Sequence, residues 1–497
     1  MQTGKTGPIA PPSQLSQLSQ LPALSPLDPA AGEPYYRQIY DRFRNAIAQG
    51  LLKPGDRIPS VRALTRELGL ARGTVDAAYS LLAAEGYIQA RGQAGTIVSP
   101  DLQPRRPVQS RAPRPDHDVP AASYRPDSVL PFQMGLPALD AFPRKIWARL
   151  GARCIRATQP SDMVHPAVFG SAPLRAEIAA YLQVARGIDC APSQVFVTSG
   201  YRHTVQLVGQ ALLKAGDRVW LEDPGYPPTR ELLAGMQVAA VPVPVDRDGM
   251  VVAEGIRRAP RARAAVVTPA HQSPLCVSLS LPRRLALLDW AARTGAWIVE
   301  DDYDGEYRYV SRPLPALKSL DREGRVLYAG TFSKVLFPSI RLAYLVVPEA
   351  QVERFEQVMQ VFAGGSPALT QAIVTAFIKE GHFARHIQRT RTLYAERRAA
   401  AIAGLESVLA PHVRIDAQPG GMHLILRLKD ERSDRRLVAR MRQEGLYAEA
   451  LRDWALTPEE GDPALLLGFT NLDSMQTAQT LGKRILRLLE PGSHSAA

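Results

Sequence analysis

The chemistry of this chain concentrates around one lysine. Lys334 closes the run Thr331-Phe332-Ser333-Lys334, and Arg341 stands seven residues further on. A lysine amine condenses with a carbonyl to give a Schiff base, and an arginine fork neutralises a phosphate. Further reactive types end other apolar runs: Thr198-Ser199-Gly200, Glu222-Asp223-Pro224-Gly225-Tyr226, Thr268-Pro269-Ala270-His271-Gln272 and Glu300-Asp301-Asp302-Tyr303. A carboxylate such as Asp301 keeps a ring nitrogen protonated, because the ion pair favours both charged forms. An aromatic side chain such as Tyr226 stacks on a ring. Ser199 and Gly200, with Arg341, make a small phosphate loop. The most economical ligand for this set is a phosphorylated aromatic aldehyde, pyridoxal 5'-phosphate (PLP), whose protonated ring is an electron sink.

The elements that must present these residues read as an α/β fold. Apolar runs at 195–197, 218–221, 265–267, 297–299, 326–328 and 342–347 alternate with helical patterns. Continuous apolar strands separated by helices imply a mostly parallel sheet covered on both faces. In such sheets ligands sit beyond the carboxyl ends of the strands, where each of the polar segments above falls. Strand alternation puts Asp301 and Tyr303 on one side. Bland alternatives stand beside these readings. Glu300, Asp301, Asp302 and Asp304 can form a solvated acidic cluster or a metal candidate, and Tyr226 can be core. Arg452 can take an amino-acid carboxylate, which an arginine fork suits, or be a surface arginine.

A smaller piece precedes this one. Tyr36, Ile39, Tyr40, Phe43 and Ile47 recur at helical spacing. Gly50 and Pro54-Gly55 end that helix. Ser60 is placed as N-cap of a second, with Val61, Leu64 and Leu68 inward. Gly69 turns the chain into a third helix with Val75, Ala78, Tyr79 and Leu82 inward, and Gly86 stops it. Tyr87-Ile88 and Thr96-Ile97-Val98 read as two short strands around a Gly-containing wing. Helix, helix–turn–helix, hairpin is the order of a winged helix. Its third helix would present Arg72 and Thr74 to the major groove, where arginine can contact guanine bidentately. Arg62 reaches a phosphate or base from the preceding helix, and Gly95 allows close backbone approach in the wing. Residues 33–98 carry nine Lys or Arg and six Asp or Glu, a local net charge of +3. So mild a charge calls for two copies on the DNA.

Two resemblances follow from these motifs. Pro59-Ser60-Val61-Arg62-Ala63-Leu64, Arg72-Gly73-Thr74-Val75, Leu82-Ala83-Ala84-Glu85-Gly86-Tyr87 and Gly95-Thr96 resemble the GntR-type winged helix of bacterial regulators. The resemblance implies DNA contacts from Ser60, Arg62, Arg72, Thr74 and Gly95. Ala71 departs from the usual Ser or Thr. Thr331-Phe332-Ser333-Lys334, followed by Phe337-Pro338-Ser339-Ile340-Arg341-Leu342, resembles the lysine segment of fold-type I aminotransferases, as fused to GntR domains in MocR/GabR-like regulators. This resemblance implies that Lys334 holds PLP as a Schiff base and that Ser333 and Arg341 hold its phosphate. It further implies Asp301 on the pyridine nitrogen, Tyr303 and His271 at the ring hydroxyl, and Tyr226 stacked on the ring. Two departures point to an altered ligand pocket. Ser273-Pro274-Leu275-Cys276 replaces the usual Pro-Thr-Gly ending, and Tyr201-Arg202-His203 stands where a glutamine is common. Arg202 offers an extra phosphate cation there.

Length and composition set the frame. A chain of 497 residues exceeds one core and calls for several domains. Hydrophobic residues make up 45% and charged ones 22%, and the formal charge of +12 is compatible with a polyanionic partner. Three cysteines exclude a disulfide scaffold and fit no zinc spacing, which points to a reducing compartment. No 18-residue apolar run and no apolar leader are present, so neither membrane insertion nor secretion is expected. The expected organisation is a disordered tail at 1–32, a winged helix at 33–98, a Pro/Arg-rich linker at 99–130 and a PLP-binding effector and dimerisation domain at 131–490. The expected protein is a cytoplasmic, head-to-tail homodimeric regulator. Its partners would be double-stranded operator DNA and a small amine, an amino acid or PLP itself. A working aminotransferase with an appended DNA-binding module is the alternative, and an inert scaffold is a third.

Overall fold

The computed structural model describes residues 27–29, 32–92, 95–102, 129–309, 315–362, 365–416, 420–457 and 463–490. Nearly all of the expected tail, two wing residues (93 and 94) and the linker from 103 to 128 therefore lie outside the described residues. The chain divides into two compact units, 1–125 and 126–497.

The first unit contains α1 (Tyr35–Ala48), β1 (Arg57–Ile58), α2 (Val61–Leu68), α3 (Arg72–Ala84), β2 (Ile88–Ala90) and β3 (Thr96–Val98). Its core joins Ile39, Tyr40, Phe43 and Ala46 to Leu64, Val75, Ala78, Tyr79, Leu82 and Ile88. One expected core position is corrected: Tyr36 is 40% exposed. It stands a turn ahead of the packed stripe, and Ala46, buried at the other end, completes that stripe instead. In α2 only Leu64 is fully buried, because the helix touches the core along one narrow edge. Ser60 caps α2 by accepting from the Ala63 N–H at 3.2 Å. Gly69 ends it in the left-handed region at φ 64°. The Tyr79 hydroxyl donates to the Pro59 carbonyl at 2.7 Å, which ties the start of α2 to α3. The sheet has three strands, not two, in the order β1-β3-β2. Two residues are too few to show a strand period, so β1 was illegible.

The second unit begins with α4 (Arg144–Ala157), α5 (Ala172–Arg186), β4 (Val195–Thr198), α6 (Tyr201–Leu212), β5 (Arg218–Asp223) and α7 (Pro227–Gly235). It continues with β6 (Ala239–Asp246), β7 (Gly249–Met250), α8 (Val252–Arg258), β8 (Ala264–Val267), α9 (Leu281–Thr294), β9 (Trp297–Asp302), β10 (Val326–Thr331) and β11 (Ala343–Val346). The eight strands form one sheet ordered β4-β11-β10-β9-β8-β5-β6-β7. Pairing is parallel from β10 through β9, β8 and β5 to β6, while β11 runs antiparallel to both its neighbours. All six expected runs are strands of this sheet. Both faces are packed. Val195 and Val197 enter one core with Tyr328, Tyr344 and Ile178 of α5, whereas Phe196 enters the other with Leu327, Leu345 and Val208 of α6.

After α10 (Val352–Phe362), α11 (Ala368–Lys379) and the 28-residue α12 (His382–Leu409), the chain builds a second sheet. Its strands are β12 (Val413–Ile415), β13 (His423–Leu428), β14 (Glu449–Ala450) and β15 (Ala464–Gly468), antiparallel in the order β12-β13-β15-β14. Helices α13 (Asp434–Gln443) and α14 (Met475–Leu489) cover it together with α12. This second sheet is not among the elements expected from the sequence. Among the described residues no helix is long and apolar enough to cross a membrane.

Candidate functional site

The ends of β4, β5, β8, β9 and β10 bring the expected polar segments to one rim of the large sheet, the edge where an open α/β sheet binds ligands. A shallow cleft, open to solvent, lies there. Tyr201, Glu222, Tyr226, Thr229, Arg230, Thr268, Ser273, Asp301 and Leu456 line it.

Lys334 follows β10 and is half-buried. Its Nζ donates to the Gly135 carbonyl at 2.9 Å. Gly135 has φ 71°, and a Cβ there would stand 2.5 Å from Nζ, so only glycine leaves the amine its place. Burial pulls the Lys334 ammonium below its ordinary value, against the carboxylates of Asp304, Asp301 and Glu449. An amine so placed reaches its neutral, nucleophilic form more readily. Nearby, Gly200 caps α6 at φ 118°, and a Cβ there would approach the Arg341 guanidinium to 3.4 Å. Arg341 itself takes the left-handed conformation, φ 49°. Gly200, Ser199 and the exposed Arg341 thus combine a helix N-terminus, a hydroxyl and a cation, the donor set of an anion cradle. The Ser199 N–H and hydroxyl both lie 3.1 Å from His203 Nδ1. Ser333 lies beside Lys334, its N–H donating to Thr331 Oγ1 at 3.1 Å. Arg202 is turned to Glu231 at 3.3 Å and is mostly exposed.

The acidic run sorts itself by partner. Glu300 accepts from the backbone N–H of Leu317 and Lys318 at 2.7 and 2.8 Å. Asp302 meets Arg186 at 2.7 Å and accepts from the Tyr328 hydroxyl at 2.7 Å. Asp304 is 3.1 Å from His271 Nδ1. Asp301 alone of the four lines the cleft. Burial, then Asp302, Glu222 and Asp304, push its carboxyl well above the usual range, with Lys334 acting the other way. A cation placed against Asp301 would relieve that penalty. Among the described residues no group of three His, Cys, Asp or Glu is placed to hold a metal ion.

Tyr303 and His271 meet, with 3.1 Å from the hydroxyl to Nδ1. Tyr226 is 40% exposed and therefore not core; it packs edge-on to Tyr201 and at a tilt to Trp454, both at 5.6 Å between centroids. Arg452 is half-buried in the turn Leu451–Asp453, just before Trp454. That turn is pinned to the large sheet. Asp223 accepts from the Leu456 N–H at 2.7 Å and the Thr457 hydroxyl at 2.6 Å, and Arg230 donates to the carbonyls of Ala455 and Asp453. Sequence reasoning gave no role to Glu222, Gly135, Arg230 or Arg186. Glu222 is buried, accepts from Thr268 and Gln272, and is pushed up by burial to about 7. No local spacing connects Gly135 with Lys334, since 199 residues separate them.

In the first unit, Arg62, Arg72 and Gly95 are exposed and Thr74 is half-buried at the start of α3. Arg72 meets Asp76 one turn on at 3.4 Å, with most of its side chain in solvent. Ser60 is committed to its cap.

Residues 35–98 match the family described as bacterial regulatory proteins, gntR family. Residues 139–460 match aminotransferase class I and II. The chain is 37% identical to the probable rhizopine catabolism regulatory protein MocR of Rhizobium meliloti, over 90% of this chain and 92% of that one. It is 33% identical to the pyridoxine biosynthesis transcriptional regulator PdxR of Corynebacterium glutamicum, over 88% and 92%. Among solved structures, α-aminoadipate aminotransferase LysN of Thermus thermophilus, complexed with N-(5'-phosphopyridoxyl)-L-leucine, superposes with TM-score 0.66 at 29% identity, covering 73% of this chain and 92% of that one. A gntR-family winged helix and a class I and II aminotransferase domain, joined in one chain and matched across both domains by named regulators, place this protein among the MocR-like transcription regulators of the GntR family.

Proposed function

We propose that this regulator holds PLP covalently through Lys334 and uses the loaded cleft to sense a small amine or amino acid, or PLP itself. The observation that carries the reading is the sorting of the acids. Asp301 is free to face the cleft beside Lys334, while Glu300, Asp302 and Asp304 are each engaged elsewhere. The residues present fit the group. Ser199, Gly200, Ser333 and Arg341 hold the phosphate, and Asp301 holds the proton of the ring nitrogen. Tyr303 with His271 serves the ring hydroxyl, and Tyr226 covers the ring. PLP, when bound, supplies an aldehyde that exchanges amines and a ring that accepts electrons.

The protein's own part is positioning and signalling. Arg452 receives the carboxylate of an amino-acid effector. Tyr226 and Trp454 shield the cleft from water. The signal is the state of Lys334. Untethered, its ammonium returns to the Gly135 carbonyl and the acidic surround of Asp304, Asp301 and Glu449. Ligand and operator are coupled only if two states of the protein bind the ligand with different affinity. The expected assembly is a head-to-tail homodimer, and a monomer in ultracentrifugation would contradict it.

On the DNA side, Arg62, Arg72, Thr74 and Gly95 make the operator contacts. Arg72→Ala is expected to weaken operator binding in a gel shift by about 10- to 100-fold, the worth of one bidentate base contact. Circular dichroism should stay unchanged, because the side chain is mostly solvated. The test of the whole reading is a gel shift of full-length protein on its operator across a series of amines and PLP, run beside a turnover assay with amino donor and keto acid. Ligand-dependent operator binding with little multiple turnover supports sensing. A second reading, a working aminotransferase, draws on 31% identity to 2-aminoadipate transaminase of Thermus thermophilus over 73% of this chain. Rapid turnover without DNA affinity would establish it.

A further inference from the structure

The stretch 131–141, which passes Lys334 at Gly135, belongs to no helix or strand. Its backbone groups therefore need partners outside any ladder. Several of them lie around the small sheet. The Gly468 N–H donates to the Phe132 carbonyl at 2.8 Å, and the Tyr447 N–H to the Pro131 carbonyl at 3.0 Å. The approach at Gly468 is close, since a Cβ there would stand 2.3 Å from the Gln133 carbonyl oxygen.

Beyond Gly135 the partners are side chains. Thr470, just past β15, is wholly buried and donates its hydroxyl to the Leu136 carbonyl at 2.5 Å. Asn471 Nδ2 donates to the Pro137 carbonyl at 3.0 Å, and its Oδ1 accepts from the Leu139 N–H at 3.3 Å. The same Nδ2 donates to Thr470 Oγ1 at 3.3 Å, which leaves the hydroxyl's own proton for Leu136. From α12, the Tyr394 hydroxyl accepts from the Ala138 N–H at 2.7 Å. Arg397 grips both oxygens of Asp140 and donates to the Thr470 carbonyl.

We propose that Thr470 and Asn471 are positioning residues for Lys334: they hold Leu136 and Pro137 so that the neighbouring Gly135 carbonyl stays fixed as the acceptor of the free lysine amine. The stiffness of this stretch carries the constraint from anchor to acceptor. Pro137 has its φ set by the ring, and Leu136, before a proline, is confined to extended conformations. Gly135 alone has wide backbone freedom, and the anchors at 132 and at 136–137 limit it from both sides. A fixed carbonyl favours the ammonium over the neutral amine, so it also sets how readily Lys334 becomes a nucleophile. The role deepens the reading above, in which Lys334 alternates between tethered and free. A tethered lysine gives up this acceptor, and the change falls on a segment bound to β15 and α12.

The test uses cofactor-free full-length protein and does not depend on PLP. Lysines are labelled with acetic anhydride across a pH series, and the reactivity of Lys334 is read by peptide mass mapping. In Thr470→Val the Lys334 midpoint is expected about half a pH unit or more below wild type, because the ammonium loses its acceptor. Asp301, Asp304 and Glu449, the charged groups that act on Lys334, are retained in every variant. Thr470→Ser keeps the hydroxyl and should return the midpoint to that of wild type. Asn471→Ala should shift it in the same direction as Thr470→Val. Asn471 is only half-buried, so this variant carries the test if Thr470→Val does not fold. A wild-type midpoint in either folded variant overturns the proposal, even where the melting temperature falls, because the role is then structural only. Failure of serine to restore the midpoint overturns it as well, since packing and not the hydrogen bond would be the cause. Borohydride reduction of the same proteins after incubation with PLP separates the two questions. If Lys334 takes no cofactor, the PLP reading fails, and the labelling midpoints still decide the role of Thr470 and Asn471.

Discussion

Full-length protein carrying Lys334→Ala is expected to lose every ligand-dependent change in operator binding. Without ligand, it binds the operator within about twofold of cofactor-free wild type, as expected of independent sites. The two halves of this result come from different places. Lys334 is the amine against which Gly135, Asp301, Asp304 and Glu449 are arranged. On the proposed reading, alanine would remove the covalent attachment outright. Lys334→Arg is the control that keeps a cation and cannot condense with an aldehyde. It should fail equally, which separates covalency from charge. Gel shift with and without PLP and amine, on wild type and both variants, reads the effect. A variant that keeps its response to the ligand would assign sensing to another site.

The second large effect is on stability, and it lies behind the cleft. Arg186, at the end of α5, is 2% exposed in its side chain and meets Asp302 at 2.7 Å and Glu306 at 3.1 Å. Tyr328 donates to Asp302, and Tyr181 donates to Glu306. The turn is tight: a Cβ at Gly305 would come within 2.2 Å of Asp302 Oδ1 and 2.8 Å of Arg186 Nη2. Arg186→Ala leaves two buried carboxylates without their cation, a change that costs about 3–5 kcal/mol. By contrast, Arg293→Ala removes an exposed pair with Asp289 and costs less than about 1 kcal/mol. Differential scanning calorimetry should show the transition of the large unit far below wild type for Arg186→Ala and nearly unmoved for Arg293→Ala. The segment Asp302–Glu306 carries Tyr303 and Asp304, so PLP retention should fall with it. Equal effects from the two substitutions would mean that this network is not what holds the turn.

The sequence made some of this legible for physical reasons. Strands buried on both faces must be apolar throughout, so the central runs stood out, and the polar residues ending them had to reach one rim. Alternation likewise put Asp301 on the cleft side and Asp302 on the opposite one, where Arg186 waits. What stayed hidden depended on distance or brevity. Arg186 and Asp302, like Gly135 and Lys334, are brought together only by the sheet. β1 has two residues and β14 has two, too few for any period. The small antiparallel sheet was missed because its strands follow a 28-residue helix and are separated by loops and α13, with no parallel-sheet rhythm. Tyr36 shows the limit of helical spacing: it has the right phase and still lies beyond the core. Cys276 was legible only as a departure from a motif.

The claim on which the rest depends is a bond at one side chain. Full-length protein incubated with PLP, reduced with borohydride, digested and mapped by mass spectrometry is expected to carry the phosphopyridoxyl adduct on the peptide containing Lys334, and on no other lysine at comparable yield. An unmodified Lys334, or an adduct spread over surface lysines, would contradict the account.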